Sequence, residues 1–139
     1  MKKLLKILKE IVIYGLIVVA LIYGLPKFLA YSLDTEYPMA SITSSSMWPA
    51  LKEGDLVLIK GIDKEELTIG DVIVYSNERG FTIHRIVKLN ENSLITKGDA
   101  NNVNDNPVEY DQVIGRVVEL RGHPLRIPYL GKISVLMRK

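Results

Sequence analysis

The chain has 139 residues, 47% of them hydrophobic and 24% charged, which fits one small domain and excludes both a multidomain assembly and a disordered chain. Cysteine is absent, so disulfides, thiolate metal sites and a thiol nucleophile are excluded, and two histidines, His84 and His123, are too few for a histidine-rich metal centre. The 18 basic residues exceed the 16 acidic ones by two, but Lys2, Lys3, Lys6, Lys9 and Lys27 stand against Glu10 alone in residues 1–30, so the rest is slightly acidic and no nucleic-acid partner is expected.

Ile11 to Leu25 reads IVIYGLIVVALIYGL and carries no charge. A helix over residues 11–30 would be about 30 Å long, the thickness of a bilayer core. Four lysines precede it, which by the positive-inside rule puts the N-terminus in the cytoplasm and the body on the outer face. A basic start and an apolar run also describe a cleavable signal peptide, for which Ala30-Tyr31-Ser32 offers small residues around a bulky one. A buried helix is the third reading. The expected organisation is a cytoplasmic stub and membrane anchor over 1–30, followed by an extracytoplasmic domain over 31–139.

From Met39 the pattern changes to short strands bounded by turn residues. Gly54-Asp55 and Gly70-Asp71 each introduce an apolar run, Leu56 to Ile59 and Val72 to Tyr75. Each reads as a Gly turn, an Asp that bonds nearby backbone N–H groups, then a buried strand. Ser76 to Gly80 reads as a hairpin loop before a strand over Phe81–Leu89. Further strands are expected over Ser93–Lys97 and Gln112–Leu120, and a short helix over Gly131–Met137. The fold class is mainly β: a small antiparallel domain behind one N-terminal transmembrane helix.

Ser44-Ser45-Ser46-Met47-Trp48-Pro49 lies before the first clear strand, His84 lies within a strand, and Asp99 and Asp105 occupy the polar loop that follows Lys97-Gly98. A serine hydroxyl is a weak nucleophile until a base takes its proton, and a histidine base needs a partner that fixes its tautomer. Alone, the serines read as a loop and His84 as a hydrogen-bonded strand residue. His123 has no companion motif. Asp99 to Tyr110 alternates Asp and Asn like a calcium loop, but Asn104 and Tyr110 stand where Gly and Glu are required, so no metal is expected.

Six segments in order give these residues company: Ser46-Met47-x-Pro49, Gly54-Asp55-Leu56-Val57 with Gly70-Asp71-Val72-Ile73, His84-Arg85-Ile86, Lys97-Gly98-Asp99-Ala100-Asn101-Asn102, Ile114-Gly115-Arg116-Val117-Val118 and Ile127-Pro128-Tyr129-Leu130-Gly131. Together they resemble type I signal peptidase, in the Ser/His branch of archaea and the endoplasmic reticulum. The resemblance covers nearly all of residues 40–131. It implies Ser46 as nucleophile, His84 as general base, and Asp99 and Asp105 as nearby carboxylates, one of which orients His84. It also implies Ser44 and the Ser46 N–H as oxyanion donors. Ser45 replaces the family's usual Gly, and Trp48 stands where many relatives are acidic, suiting an interfacial aromatic that forms an exposed apolar rim with Met47. The implied function is a membrane-bound serine endopeptidase that cleaves signal peptides from exported preproteins. Its expected partners are those signal peptides, the lipid bilayer and further membrane subunits, and no cofactor or metal is implied. Two other readings stand beside it. One is a catalytically inactive or accessory membrane subunit that binds partners through its β surface. The other is a self-cleaving repressor, which needs a DNA-binding domain that this sequence does not display.

Overall fold

The computed structural model describes residues 1–132; the helix expected over Gly131–Met137 falls, beyond Lys132, outside them. The chain divides into two units at Ser32. The first is helical: α1 (Lys2–Val19), a π-helical turn (Ala20–Gly24) and α2 (Leu25–Ser32). Pro26 stands at the second position of α2 and has no N–H to return to the preceding turn, which accounts for the break in the α-helical ladder. None of the three segments holds a buried residue.

The helix expected over 11–30 is not a single α-helical element. The uncharged run is helical but shared among three elements, and α1 spends its first half on Lys2, Lys3, Lys6, Lys9 and Glu10. No helix among the described residues is long and apolar enough to cross a membrane.

The second unit is an antiparallel β structure. Its strands are β1 (Met39–Ser41), β2 (Leu56–Lys60), β3 (Val72–Asn77), β4 (Gly80–Leu89), β5 (Ser93–Lys97), β6 (Val108–Glu109), β7 (Val113–Val117), β8 (Glu119–Leu120), β9 (His123–Pro124) and β10 (Arg126–Ile127). The main sheet runs β1-β2-β7-β3-β4-β5-β6, with β10 also paired to β2, and β8-β9 form a separate ribbon. The strand expected over Gln112–Leu120 is interrupted. A 3-10 turn occupies Tyr110–Gln112, and Val118 separates β7 from β8 while its N–H bonds the Leu58 carbonyl at 2.9 Å, in the β2–β7 register.

β3 is buried on both faces, and its two-residue period divides the core. Val72 and Val74 join Ile42, Met47, Leu51, Val57, Ile59 and Val117 on one side. Ile73 and Tyr75 join Leu67, Ile86, Leu94 and Val108 on the other. The two Gly-Asp turns fold as the sequence implies. Asp55 Oδ2 accepts from Lys52 N–H at 2.9 Å, and Asp71 Oδ2 accepts from Thr68 N–H at 2.8 Å. Each buried carboxylate also meets an arginine, Arg126 on Asp55 and Arg116 on Asp71, so neither charge is stranded.

Met47 corrects a further expectation. It is 1% exposed, whereas Trp48 is 57% exposed, so only the tryptophan is available to a surface. Met47→Ala should lower unfolding free energy by about 2–5 kcal/mol, the cost of emptying a filled core position. Trp48→Ala should change it by about 0.5 kcal/mol or less. Urea unfolding of both variants checks the contrast.

Candidate active site

Ser46 opens a tight turn that the core holds from beneath. Its neighbour Met47 and the nearby Leu51 are fully buried. Within the turn Leu51 N–H bonds the Met47 carbonyl at 2.9 Å, and Trp48 N–H bonds the Ser45 carbonyl at 3.0 Å. The Ser46 carbonyl accepts from Ala100 N–H at 2.8 Å, which ties the serine turn to the loop after β5. That loop approaches closely because residue 98 is Gly: a Cβ there would lie 2.7 Å from the Ser46 carbonyl oxygen.

His84 enters from β4. It faces Ile73 across the β3–β4 ladder and is only 8% exposed. Its Nε2 lies 3.1 Å from Ser46 Oγ, and its Nδ1 lies 2.6 Å from Asp105 Oδ2. A carboxylate only accepts, so Nδ1 carries the proton and Nε2 is left to accept from the serine hydroxyl. The three residues are 38 and 21 positions apart along the chain, and the sheet brings them into one line.

The two candidate aspartates separate. Arg85 follows His84 on β4 and so points to the opposite face. There Arg85 Nε and Nη2 donate to the two oxygens of Asp99 at 2.8 and 2.7 Å, and Nη1 donates to the Gly70 carbonyl at 2.7 Å. The Asp99 carboxylate holds the Arg85 guanidinium above its ordinary value, against the opposing effect of burial. Asp99 is therefore engaged by Arg85 and does not face His84; it braces the loop whose next residue, Ala100, holds Ser46. Ser44 Oγ lies 3.1 Å from Ser46 Oγ. His123 is exposed on β9 and takes no part in this line of contacts.

Sequence reading missed two residues. Thr96 Oγ1 donates to Asp105 Oδ2 at 2.7 Å, and the Tyr75 hydroxyl lies 3.4 Å from that same oxygen. Both are buried, Thr96 completely. Burial, first among several influences, keeps the Tyr75 phenol above its ordinary pKa, so it stays a hydroxyl near the carboxylate. The one signal in the sequence was a threonine on the core-facing side of Leu94-Ile95-Thr96, where an apolar residue would be usual.

The chemistry available is activation of a serine hydroxyl by a histidine that a carboxylate orients. The profile of the Peptidase S24-like family matches residues 12–118. The chain is also similar to the signal peptidase complex catalytic subunit SEC11C of Homo sapiens, 31% identical over 126 residues, covering 80% of this chain and 62% of that protein. The same figures hold for SEC11C of Mus musculus. The signal peptidase complex catalytic subunit SEC11 of Metarhizium robertsii is 32% identical over 127 residues, covering 80% of this chain and 70% of that protein. The chain thus belongs to the Peptidase S24-like family, and its match spans a little under two thirds of the mammalian relatives' length.

Asp99→Ala should remove the brace without touching His84. The pair is only partly shielded, with side chains 29% and 19% exposed, so the cost should fall below that of a fully buried pair, at about 1–3 kcal/mol. Urea unfolding measures it.

Proposed function

We propose that the chain is a membrane-anchored serine endopeptidase that removes signal peptides from exported preproteins, with Ser46 as nucleophile and His84 as general base. The observation that carries the reading is the continuous Ser46–His84–Asp105 contact, 3.1 and 2.6 Å long. The similarity to proteins named as signal peptidase catalytic subunits supports signal peptides as the substrate.

Ser46 Oγ attacks the scissile carbonyl as its proton passes to His84 Nε2. Asp105 keeps the Nδ1 proton in place and stabilises the imidazolium. The developing oxyanion is met by the Ser44 hydroxyl and the Ser46 N–H. His84 then protonates the leaving amine, and water, activated in the same way, frees the acyl-enzyme. No step calls for a metal or an organic cofactor.

The substrate adds as an extended strand. β5 pairs with β4 only from Arg85 onward, which leaves residues 80–84 of β4 with β3 as their one paired strand among the described residues. That short edge leads directly to His84 and suits strand addition by a peptide. Residues 1–30 serve as the anchor. Their uncharged run is helical throughout, its large apolar side chains are exposed, and the lysines that precede it set a cytoplasmic N-terminus. The catalytic domain, residues 31–139, then lies on the outer face, where signal peptides emerge. Further membrane subunits are partners, since the relatives are named as subunits of a signal peptidase complex. A purely accessory role gives no reason for a buried imidazole aligned between a hydroxyl and a carboxylate.

The test is cleavage of a purified preprotein by the full chain in detergent. Ser46→Ala should abolish processing with the fold retained. Asp105→Asn should lower kcat by about 10⁴-fold, because an amide no longer fixes the histidine tautomer. Processing by Ser46→Ala at the parent rate would overturn the reading.

A further inference from the structure

Asp105 Oδ2 is a crowded atom. It accepts hydrogen bonds from His84 Nδ1–H at 2.6 Å and from the Thr96 hydroxyl at 2.7 Å, with the Tyr75 hydroxyl 3.4 Å away. Backbone and side chain act together, because Asp105 N–H also bonds the Thr96 carbonyl at 2.8 Å. One residue of β5 therefore grips Asp105 at both ends. The Tyr75 hydroxyl is also 3.4 Å from Thr96 Oγ1, closing a small ring of polar atoms between the sheet and the loop.

A threonine that is 0% exposed in a strand gives up the water its hydroxyl would otherwise bond, and so needs a partner in the protein. Here the partner is the carboxylate beside the imidazole. A charged acceptor strengthens such a bond, and a second donor on the same oxygen limits how the carboxylate can turn. Without it Asp105, at the edge of a polar loop and with a side chain 24% exposed, could swing toward solvent and leave Nδ1 unpaired.

We propose that Thr96 is a positioning residue, with Tyr75 as its support: its hydroxyl locks the Asp105 carboxylate in the one orientation that holds the His84 Nδ1 proton, and so keeps Nε2 free to accept from Ser46. The proposal rests on the Ser46–His84–Asp105 reading above. It assigns to the Thr96 hydroxyl a task that the backbone bond cannot perform, since the Asp105 N–H bond to the Thr96 carbonyl fixes the Asp105 backbone but not the torsion of its side chain.

The experiment compares the full chain with Thr96→Val, Thr96→Ser and Tyr75→Phe in detergent. One measurement is preprotein cleavage, with kcat and KM separated. The other is the far-downfield proton resonance of an imidazole Nδ1–H held by a carboxylate, assigned to His84 by its loss in His84→Gln. Thr96→Val should lower kcat about ten- to a hundredfold, the scale of a lost hydrogen bond to a charged group. KM should stay within about twofold and the His84 resonance should shift or broaden. Thr96→Ser should retain the parent kcat and resonance. Tyr75→Phe, whose contacts are longer, should give a smaller change in the same direction.

The proposal is overturned if Thr96→Val keeps the parent kcat and resonance, or if it loses activity while the resonance is unmoved. It is also overturned if Thr96→Ser falls as far as Thr96→Val, since the loss would then follow packing and not the hydroxyl. Should Thr96→Val fail to fold, Thr96→Ser and Tyr75→Phe decide by the same criteria. The resonance does not depend on turnover, so it judges the role of Thr96 even where Ser46→Ala leaves cleavage intact.

Discussion

The alternation of side chains along β4 is the constraint on which the site depends. Adjacent strand residues must face opposite ways, so His84 and Arg85 cannot share a partner. His84 turns to Ser46 and Asp105, and Arg85 turns to Asp99 and the Gly70 carbonyl. The two aspartates of one loop are thereby sorted, one to the imidazole and one to a brace. A one-residue slip of β4 against β3 would exchange them. That slip is opposed by the tight turn between Asn77 and Gly80 and by β3, whose four successive buried side chains fit two separate cores.

The same loop also reaches Ser46. Ala100 N–H holds the Ser46 carbonyl at 2.8 Å, and Gly98 lets the two backbones approach. Ser46 is further fixed by Met47, which fills the core directly beside it. The hydroxyl thus stands on a turn pinned from below by packing and from the side by a hydrogen bond. Preorganisation of this kind spares the reorganisation a mobile serine would need at the moment of reaction.

Much of this was legible in the residues. The paired Gly-Asp turns and the β3–β4 hairpin follow from local turn chemistry, which acts over four or five residues. The order of short motifs pointed to Ser46, His84 and the two aspartates. Their division of labour was not legible, because it depends on which loop residue meets which face of β4, a contact across 14 to 38 positions of chain. Thr96 and Tyr75 escaped for a similar reason: a lone threonine in an apolar strand gives no sign of its partner. Met47 looked like part of an exposed rim beside Trp48, and only the fold separates a core-filling side chain from its exposed neighbour. In the helical unit the hydropathy of residues 11–30 was plain, whereas the division before Pro26 came from the missing proline N–H.

In the proposed reaction His84 and Asp105 act on Ser46 as one unit, and a double-mutant cycle separates joint from independent contributions. The quantity to measure is kcat/KM for preprotein cleavage by the full chain, His84→Gln, Asp105→Asn and the double variant. Residues that work as a unit lose their joint effect with the first substitution. The double variant should be no slower than His84→Gln alone. If the two losses instead multiply, the carboxylate and the imidazole contribute independently, and they do not form one unit.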